Sequence, residues 1–237
     1  MQAIILAGGL GTRLKSVVAD KPKVLSPVAG KPFLHYIIQY LQEQGVTSYI
    51  FSLGYLANQI IDFLQETHPN LPYQYHIEDI PLGTGGGIKK AIELATEENV
   101  LIVNADTYFN ISLPQMYSTH KATEAMCSVS LKIMNDFDRY GSVEIDINNT
   151  IISFKEKIFT KQGLINGGYY LINKNYFISA TQHLPEIFSF EKDFLEKNLS
   201  TNRVKGFIAN GYFIDIGIPE DFAKAQHVFA GNALPIS

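Results

Sequence analysis

Short apolar runs alternate with amphipathic stretches through the first half of the chain. Ala3-Ile4-Ile5-Leu6, Tyr49-Ile50-Phe51-Ser52-Leu53 and Val100-Leu101-Ile102-Val103 read as buried strands, and Tyr73 to Glu78 as another. Between them, Phe33 to Gln44, Leu56 to Glu66 and Ile88 to Glu97 carry a helical period. In the last of these, Ile88, Ala91, Ile92, Leu94 and Ala95 fall on one face. Continuous apolar strands separated by helices predict a mainly parallel sheet covered on both sides. Ligands of such sheets bind at the carboxyl ends of the strands, which directs attention to the positions just after Leu6, Leu53, Glu78 and Val103.

The second half is richer in strands. Met126 to Ile133, Gly141 to Ile147, Thr150 to Phe154 and Gly168 to Ile172 read as strands, with turns at Asn148-Asn149 and Gly163. A helix is expected over Glu191 to Asn198. A last one opens at Pro219 or Glu220, where a proline is followed by two acids, and runs to about Phe229. The pattern predicts one α/β domain whose later section adds antiparallel strands.

Composition narrows the class. The 237 residues are 46% apolar and 18% charged, enough for a sizeable core and unlike a disordered chain. The net charge of −4 argues against a protein that coats nucleic acid. No stretch approaches the roughly 20 continuous apolar residues of a membrane span. The single cysteine, Cys127, excludes an internal disulfide and points to a reducing, cytoplasmic setting. The charge is uneven, however. From Gly11 to Lys31 there are five cations and one anion, a net of +4, so the remainder sums to −8. A basic island in an acidic chain indicates a local anion site.

That island overlaps the strongest motif. The first strand runs directly into Leu6-Ala7-Gly8-Gly9-Leu10-Gly11-Thr12-Arg13-Leu14. Successive backbone N–H groups in such a loop form an anion-binding nest, and Arg13 adds a planar fork of donors. The loop is not a Walker A motif. It also fails the dinucleotide fingerprint, because Leu14 stands where the third glycine belongs, and this excludes a dinucleotide-dependent oxidoreductase. Next comes Lys21-Pro22-Lys23-Val24-Leu25-Ser26-Pro27-Val28-Ala29-Gly30-Lys31-Pro32, stiffened by three prolines. Lys23 is expected to contact phosphate. Lys31 opens a helix and is either a further contact or a surface charge.

Together, Gly8-Gly9-Leu10-Gly11-Thr12-Arg13-Leu14, Lys23, Pro27-Val28 and Lys31-Pro32 resemble the sugar-1-phosphate nucleotidylyltransferase family. Further matches are Leu82-Gly83-Thr84-Gly85-Gly86, Asn104-Ala105-Asp106, Arg139-Tyr140-Gly141, Glu156-Lys157, Asn166-Gly167-Gly168-Tyr169-Tyr170 and Asp215-Ile216-Gly217. The resemblance covers most of the chain. It implies a Rossmann-like mixed, mainly parallel sheet flanked by helices, with a smaller antiparallel sugar-binding section. Residues 1–110 would mainly bind nucleotide and 111–237 mainly sugar phosphate.

The implied reaction is transfer of a nucleoside monophosphate from a nucleoside triphosphate to a sugar 1-phosphate. Leu6, Ala7, Gly8, Gly9, Gly11, Thr12, Arg13, Lys23, Gly83, Thr84 and Gly85 would bind nucleotide. The glycine-rich loop from Pro81 to Gly87 would pack on the base. Gly141, Glu156, Lys157, Asn166 and Gly168 would bind the sugar phosphate. Arg13 would hold the departing phosphates, and Lys23 would bridge the α-phosphate and the attacking phosphate. Asp106 and Asp215 would hold Mg²⁺, a cation content with few protein ligands and several phosphate oxygens. Taken alone, either aspartate is equally a helix cap, and Lys155-Glu156-Lys157 is equally a solvated charge run.

Asp136-Phe137-Asp138 reads as a turn, because a short Asp-x-Asp match is common by chance. Within the family, the Leu82 to Gly86 motif and the segments around Gly11 to Val18 and Pro27 to Leu34 look most like the branch that joins GTP to a heptose 1-phosphate. The alternatives are transfer of a uridylyl or thymidylyl group, a mannose 1-phosphate guanylyltransferase, or a non-catalytic nucleotide-sugar sensor. No single residue fixes guanine over uracil. No nucleic-acid or membrane partner is expected. Oligomeric state is left open, and Tyr169-Tyr170 and Tyr176-Phe177 are either core or interface.

Overall fold

The computed structural model of the chain describes residues 1–9 and 21–231. Its first half runs β1 (Gln2–Leu6), β2 (Pro27–Val28), β3 (Lys31–Pro32), α1 (Phe33–Glu43), β4 (Ser48–Leu53), α2 (Ala57–Thr67), β5 (Tyr73–Ile77), α3 (Gly83–Ala91) and β6 (Asn99–Asn104). The second half adds β7 (Thr107–Phe109), α4 (Leu113–Ala122), β8 (Cys127–Phe137), β9 (Ser142–Ile145), β10 (Ile151–Phe154), β11 (Thr160–Asn173), α5 (Lys174–Thr181), β12 (Val204–Ala209), β13 (Phe213–Asp215) and α6 (Pro219–Ala230).

A nine-stranded sheet runs through both halves in the order β10-β9-β11-β6-β1-β4-β5, with β8 on β11 and β12 on β8. The β6-β1-β4-β5 portion is parallel, as the continuous apolar runs predict. Antiparallel pairing enters with β11, which meets β6, β8 and β9. Side chains alternate between two cores. Ala3 and Ile5 face one with Ile37 and Leu41 of α1, Ile60 and Leu64 of α2 and Phe222 of α6. Ile4 faces the other with Ile88 and Ala91 of α3, Phe177 of α5 and Phe190. Tyr169, Tyr170 and Phe177 are buried in these cores, and Tyr176 packs partly buried against the second.

Several elements depart from the sequence reading. The glycine-rich stretch expected as a loop from Pro81 to Gly87 is helical from Gly83, and α3 gives way at Ile92 to a short 3-10 turn instead of running to Glu97. β8 continues to Phe137 and β11 begins at Thr160. Their added pairs include the polar Asn135 and Gln162, whose side chains hydrogen-bond at 3.1 Å, so no hydrophobic alternation marks them. Gly163 lies inside β11 rather than in a turn. A Cβ there would stand 3.2 Å from the Phe137 ring. Asp136 and Phe137 likewise belong to β8, with Asp136 at φ +48°, and the bend begins at Asp138.

The helix expected over Glu191 to Asn198 is a π-helical turn (Phe190–Leu195) followed by a 3-10 stretch (Glu196–Thr201). Helices α4 and α5 have weak amphipathic signals. They are started by side-chain caps, Ser112 accepting from Gln115 N and Asn173 accepting from Tyr176 N.

Candidate active site

A cavity of about 440 Å³ opens at the carboxyl ends of the parallel strands. Leu6, Ala7, Gly8 and Gly9 line it after β1, Ser52 lies in β4, Glu78 follows β5, and Asn104 and Asp106 end β6. Pro81, Gly83, Thr84 and Gly87 close it at the start of α3, and Lys23 and Val24 close it from a 3-10 turn. The strand ends are tied together by Ala7 N donating to Ser52 O at 2.9 Å and Ala105 N to Leu6 O at 3.2 Å. Gly8 permits a close approach, since a Cβ there would stand 3.1 Å from Glu78 Oε1. Gly11, Thr12 and Arg13, expected to cradle phosphate, lie outside the described residues.

Lys23 is held where the three prolines predict a rigid support. Its 3-10 turn runs through Ser26 into the two-residue pairing of β2 with β3, turned at Ala29 and Gly30 with positive φ. Its Nζ donates to Asp106 Oδ2. Lys31 is exposed on β3, one residue before the Pro32 cap of α1, with its Nζ 3.4 Å from His35 Nε2.

Asp106 and Asp215, 109 residues apart, are brought together by a short antiparallel pair. Asp215 of β13 lies opposite Thr107 of β7, and Ile216 N donates to Asp106 O at 3.0 Å. Neither aspartate caps a helix. Asp215 Oδ1 accepts from Gly217 N at 2.7 Å, and Asp106 Oδ1 from Thr107 Oγ1 at 3.2 Å. Burial, and next the negative charge of Asp106, raise the Asp215 carboxyl above its ordinary value, while Lys23 opposes the shift. Two neighbouring carboxylates at strand ends are a hard oxygen donor set. Among the described residues there is no cluster of three or more histidine, cysteine or acidic groups placed to hold a metal alone.

The α3 glycines divide their work. Gly83 and Thr84 face the cavity. Gly85 does not: a Cβ there would be 2.2 Å from the Phe188 ring, and its N donates to Phe188 O at 3.0 Å. Gly86 is pressed against Glu186 O. These two glycines let the 186–190 segment pack on the helix start, where Thr84 Oγ1 also donates to Glu191 Oε2 at 2.8 Å.

Asn166 and Gly168 lie at the register shift of β11 against β8. Gly168, at φ +78°, donates its N to Asn166 Oδ1 at 3.0 Å and sits beside Asn104, which lines the cavity. Gly141 is pressed on the carbonyl of Lys155, next to Glu156 and Lys157. Those two side chains are exposed, line neither cavity described here, and engage no hydrogen bond or ion pair among the described residues. Asp215 itself lines a second cavity of about 340 Å³ with Arg139, Tyr140 and Asp221.

Sequence reasoning gave no role to Glu78 or Ser52, and named Asn104 only within the Asn104-Ala105-Asp106 match. The strand-end rule marked the place but not the side chain. Glu78 is the most informative of the three. Its Oε1 accepts from Ser52 Oγ at 3.0 Å and its Oε2 from Leu82 N at 2.9 Å, which fixes an acceptor-only carboxylate against the cavity.

Fold and cavity define a Rossmann-like α/β protein with its ligand site at the ends of parallel strands. The chain belongs to the nucleotidyl transferase family, whose model matches residues 2–230. It is 48% identical over 226 residues to a D-glycero-alpha-D-manno-heptose 1-phosphate guanylyltransferase of Aneurinibacillus thermoaerophilus, covering 95% of this chain and 97% of that one. A protein of the same name from Campylobacter jejuni is 45% identical over 94% of this chain and 97% of its own. Among solved structures, HddC from Yersinia pseudotuberculosis superposes with a TM-score of 0.87 at 41% identity, over 96% of this chain and 99% of that one. HddC has also been crystallised in complex with GMP-PN. No helix among the described residues is long and apolar enough to cross a membrane.

Proposed function

We propose that this protein transfers a guanylyl group from GTP to D-glycero-D-manno-heptose 1-phosphate, releasing pyrophosphate and forming a GDP-heptose for surface polysaccharide. The observation that carries the reaction class is the convergence of Lys23 and Asp106, which line the strand-end cavity, with Asp215, which the β7–β13 pair sets beside Asp106. The names of the relatives support the heptose and the guanylyl group. Glu78 adds a physical reason for guanine. Its carboxylate offers acceptors to the N–H groups on the Watson–Crick edge of guanine, whereas uracil has one such donor and presents carbonyls on either side of it.

An oxygen of the sugar phosphate attacks the α-phosphorus of GTP. The new P–O bond forms as the bond to the β-phosphate breaks, and pyrophosphate leaves with the electron pair. A phosphate dianion is already nucleophilic, so catalysis is positioning and charge neutralisation. Lys23 spans the α-phosphate and the attacking phosphate, Lys157 meets the incoming phosphate, and Arg13 holds the departing pair. The donor set of Asp106 and Asp215 fits Mg²⁺, which when bound neutralises charge on the α-phosphate. Gly141, Glu156, Asn166 and Gly168 take the sugar. On this reading residues 1–110 serve mainly the nucleotide and 111–237 mainly the sugar phosphate. The buried free thiol of Cys127 suits a cytoplasmic enzyme. A sensor has no need of a lysine and two carboxylates at the reacting centre.

The test is a matrix of four nucleoside triphosphates against a panel of sugar 1-phosphates with Mg²⁺, read by pyrophosphate release. GTP with the heptose 1-phosphate should turn over fastest. If that pair were inert while another reacted, the substrate assignment would fall and the reaction class would stand. Inertness of every pair would return the sensor reading.

A further inference from the structure

Asp215 rides on a three-residue strand, and β8 with the turn after it grips that strand's flanks on both sides. Ahead of β13, Lys132 Nζ of β8 donates to the carbonyls of Asn210 at 2.7 Å and Gly211 at 2.9 Å. Beyond it, Arg139 Nη2 lies 2.8 Å from Asp221 Oδ2, in the first turn of α6. Asp221 is only 6% exposed, and Lys224 Nζ stands 3.1 Å from its other oxygen. The Arg139 guanidinium also lies 5.9 Å from the Tyr140 ring centroid. That ring packs edge-on against Phe213, two residues before Asp215, with centroids 5.9 Å apart. Gly141 follows immediately. A nearly buried carboxylate paired with a guanidinium cannot lose its partner cheaply.

We propose that Arg139 and Asp221 form a positioning pair that sets Asp215 against Asp106 and registers the 138–141 turn over the same centre. The proposal rests on the reading of Asp106 and Asp215 as cation ligands. Neither residue touches the reacting atoms, and neither lines the cavity formed by Glu78, Gly83 and Thr84. The pair therefore governs the carboxylate centre and the sugar-phosphate side while leaving the nucleotide cavity alone.

The test compares Arg139→Gln, Asp221→Asn, their double variant and Arg139→Lys with the wild type in the full-length protein. Hydrogen–deuterium exchange is followed at 138–141, 213–221 and 83–91, Mn²⁺ binding is titrated in the presence of GMP-PN, and kcat and both KM values are measured. Each single variant should speed exchange at the first two segments and leave 83–91 unchanged. It should weaken Mn²⁺ binding and lower kcat by about ten- to a hundred-fold, with the KM for GTP at saturating metal unaltered. The double variant should be no worse than the poorer single one, and Arg139→Lys should fall between.

Unchanged exchange, unchanged Mn²⁺ affinity, or a KM for GTP that worsens in step with kcat would overturn the proposal. If the wild type released no pyrophosphate, the functional reading would fall, and exchange and Mn²⁺ binding would still decide the positioning pair. Should Asp221→Asn fail to fold, Arg139→Lys, which keeps the charge and loses the fork, carries the test.

Discussion

His120 gives the protein an acid limit that can be calculated. Its ring is buried on α4 between two strands, with Nδ1 2.8 Å from Ser128 Oγ and Nε2 3.1 Å from Asn99 Oδ1. Asn99 Oδ1 only accepts, so Nε2 carries the proton and Nδ1 accepts from the serine hydroxyl. The neutral ring is thus fully satisfied, and burial pushes its pKa from 6.5 down to about 4. The unfolded chain takes up the proton first as pH falls. The stability contributed by the neutral ring is therefore complete above about pH 6.5 and lost progressively toward pH 4.

Between pH 7.5 and 4.5 this one group should remove roughly 2–3 kcal/mol, a large share of an ordinary domain's stability. Urea unfolding of wild type and His120→Gln across that range isolates the effect, since other titrating groups cancel in the difference. The variant should be less stable at pH 7.5 and lose about 2–3 kcal/mol less on acidification. Parallel pH profiles for the two proteins would refute the burial argument.

Three further outcomes follow from the site. Lys23→Ala and Asp106→Ala should each cut kcat by about a thousand-fold while leaving the cooperativity of urea unfolding intact. Near-wild-type turnover by a folded variant would remove those residues from the centre. Glu78→Gln should lower kcat/KM for GTP about ten- to a hundred-fold and raise the relative use of UTP. An unaltered ratio between the two nucleotides would show that the carboxylate does not read the base. Gly86→Ala should destabilise the fold by about 1–3 kcal/mol, because its Cβ would stand 2.2 Å from Glu186 O. A melting temperature equal to the wild type's would contradict that packing.

The inner parallel strands β1, β4 and β6 were legible because they are buried on both faces and so read as nearly unbroken apolar runs, as from Ala3 to Leu6 and from Val100 to Val103. Where one face or a polar ladder meets water, the signal fades, which is why the Asn135–Gln162 end of the β8–β11 pairing was invisible. The glycines of α3 misled for a different reason. Glycine in a helix costs up to about 1 kcal/mol relative to alanine, so four of them read as a loop. Their value lies in the approach of Phe188 and Glu186, partners 100 residues away whose position no local pattern encodes. Lys23 and Asp106 were legible through motif spacing. The proximity of Asp106 to Asp215 was implied only by resemblance, because it depends on a strand pair closed across half the chain. Glu78 was given no role because nothing in the sequence distinguishes it from Asp79, the acid beside it.

The β7–β13 pairing has a consequence in time. A ribosome delivers Asp106 long before Asp215, and β13 is the last strand of the described chain to be made. Contacts of such sequence separation close late, after the local elements have formed. The nascent protein thus presents Gly8, Gly9 and Lys23 while still lacking half of its carboxylate pair. On the function proposed above, the centre is complete only once the final strand has been made.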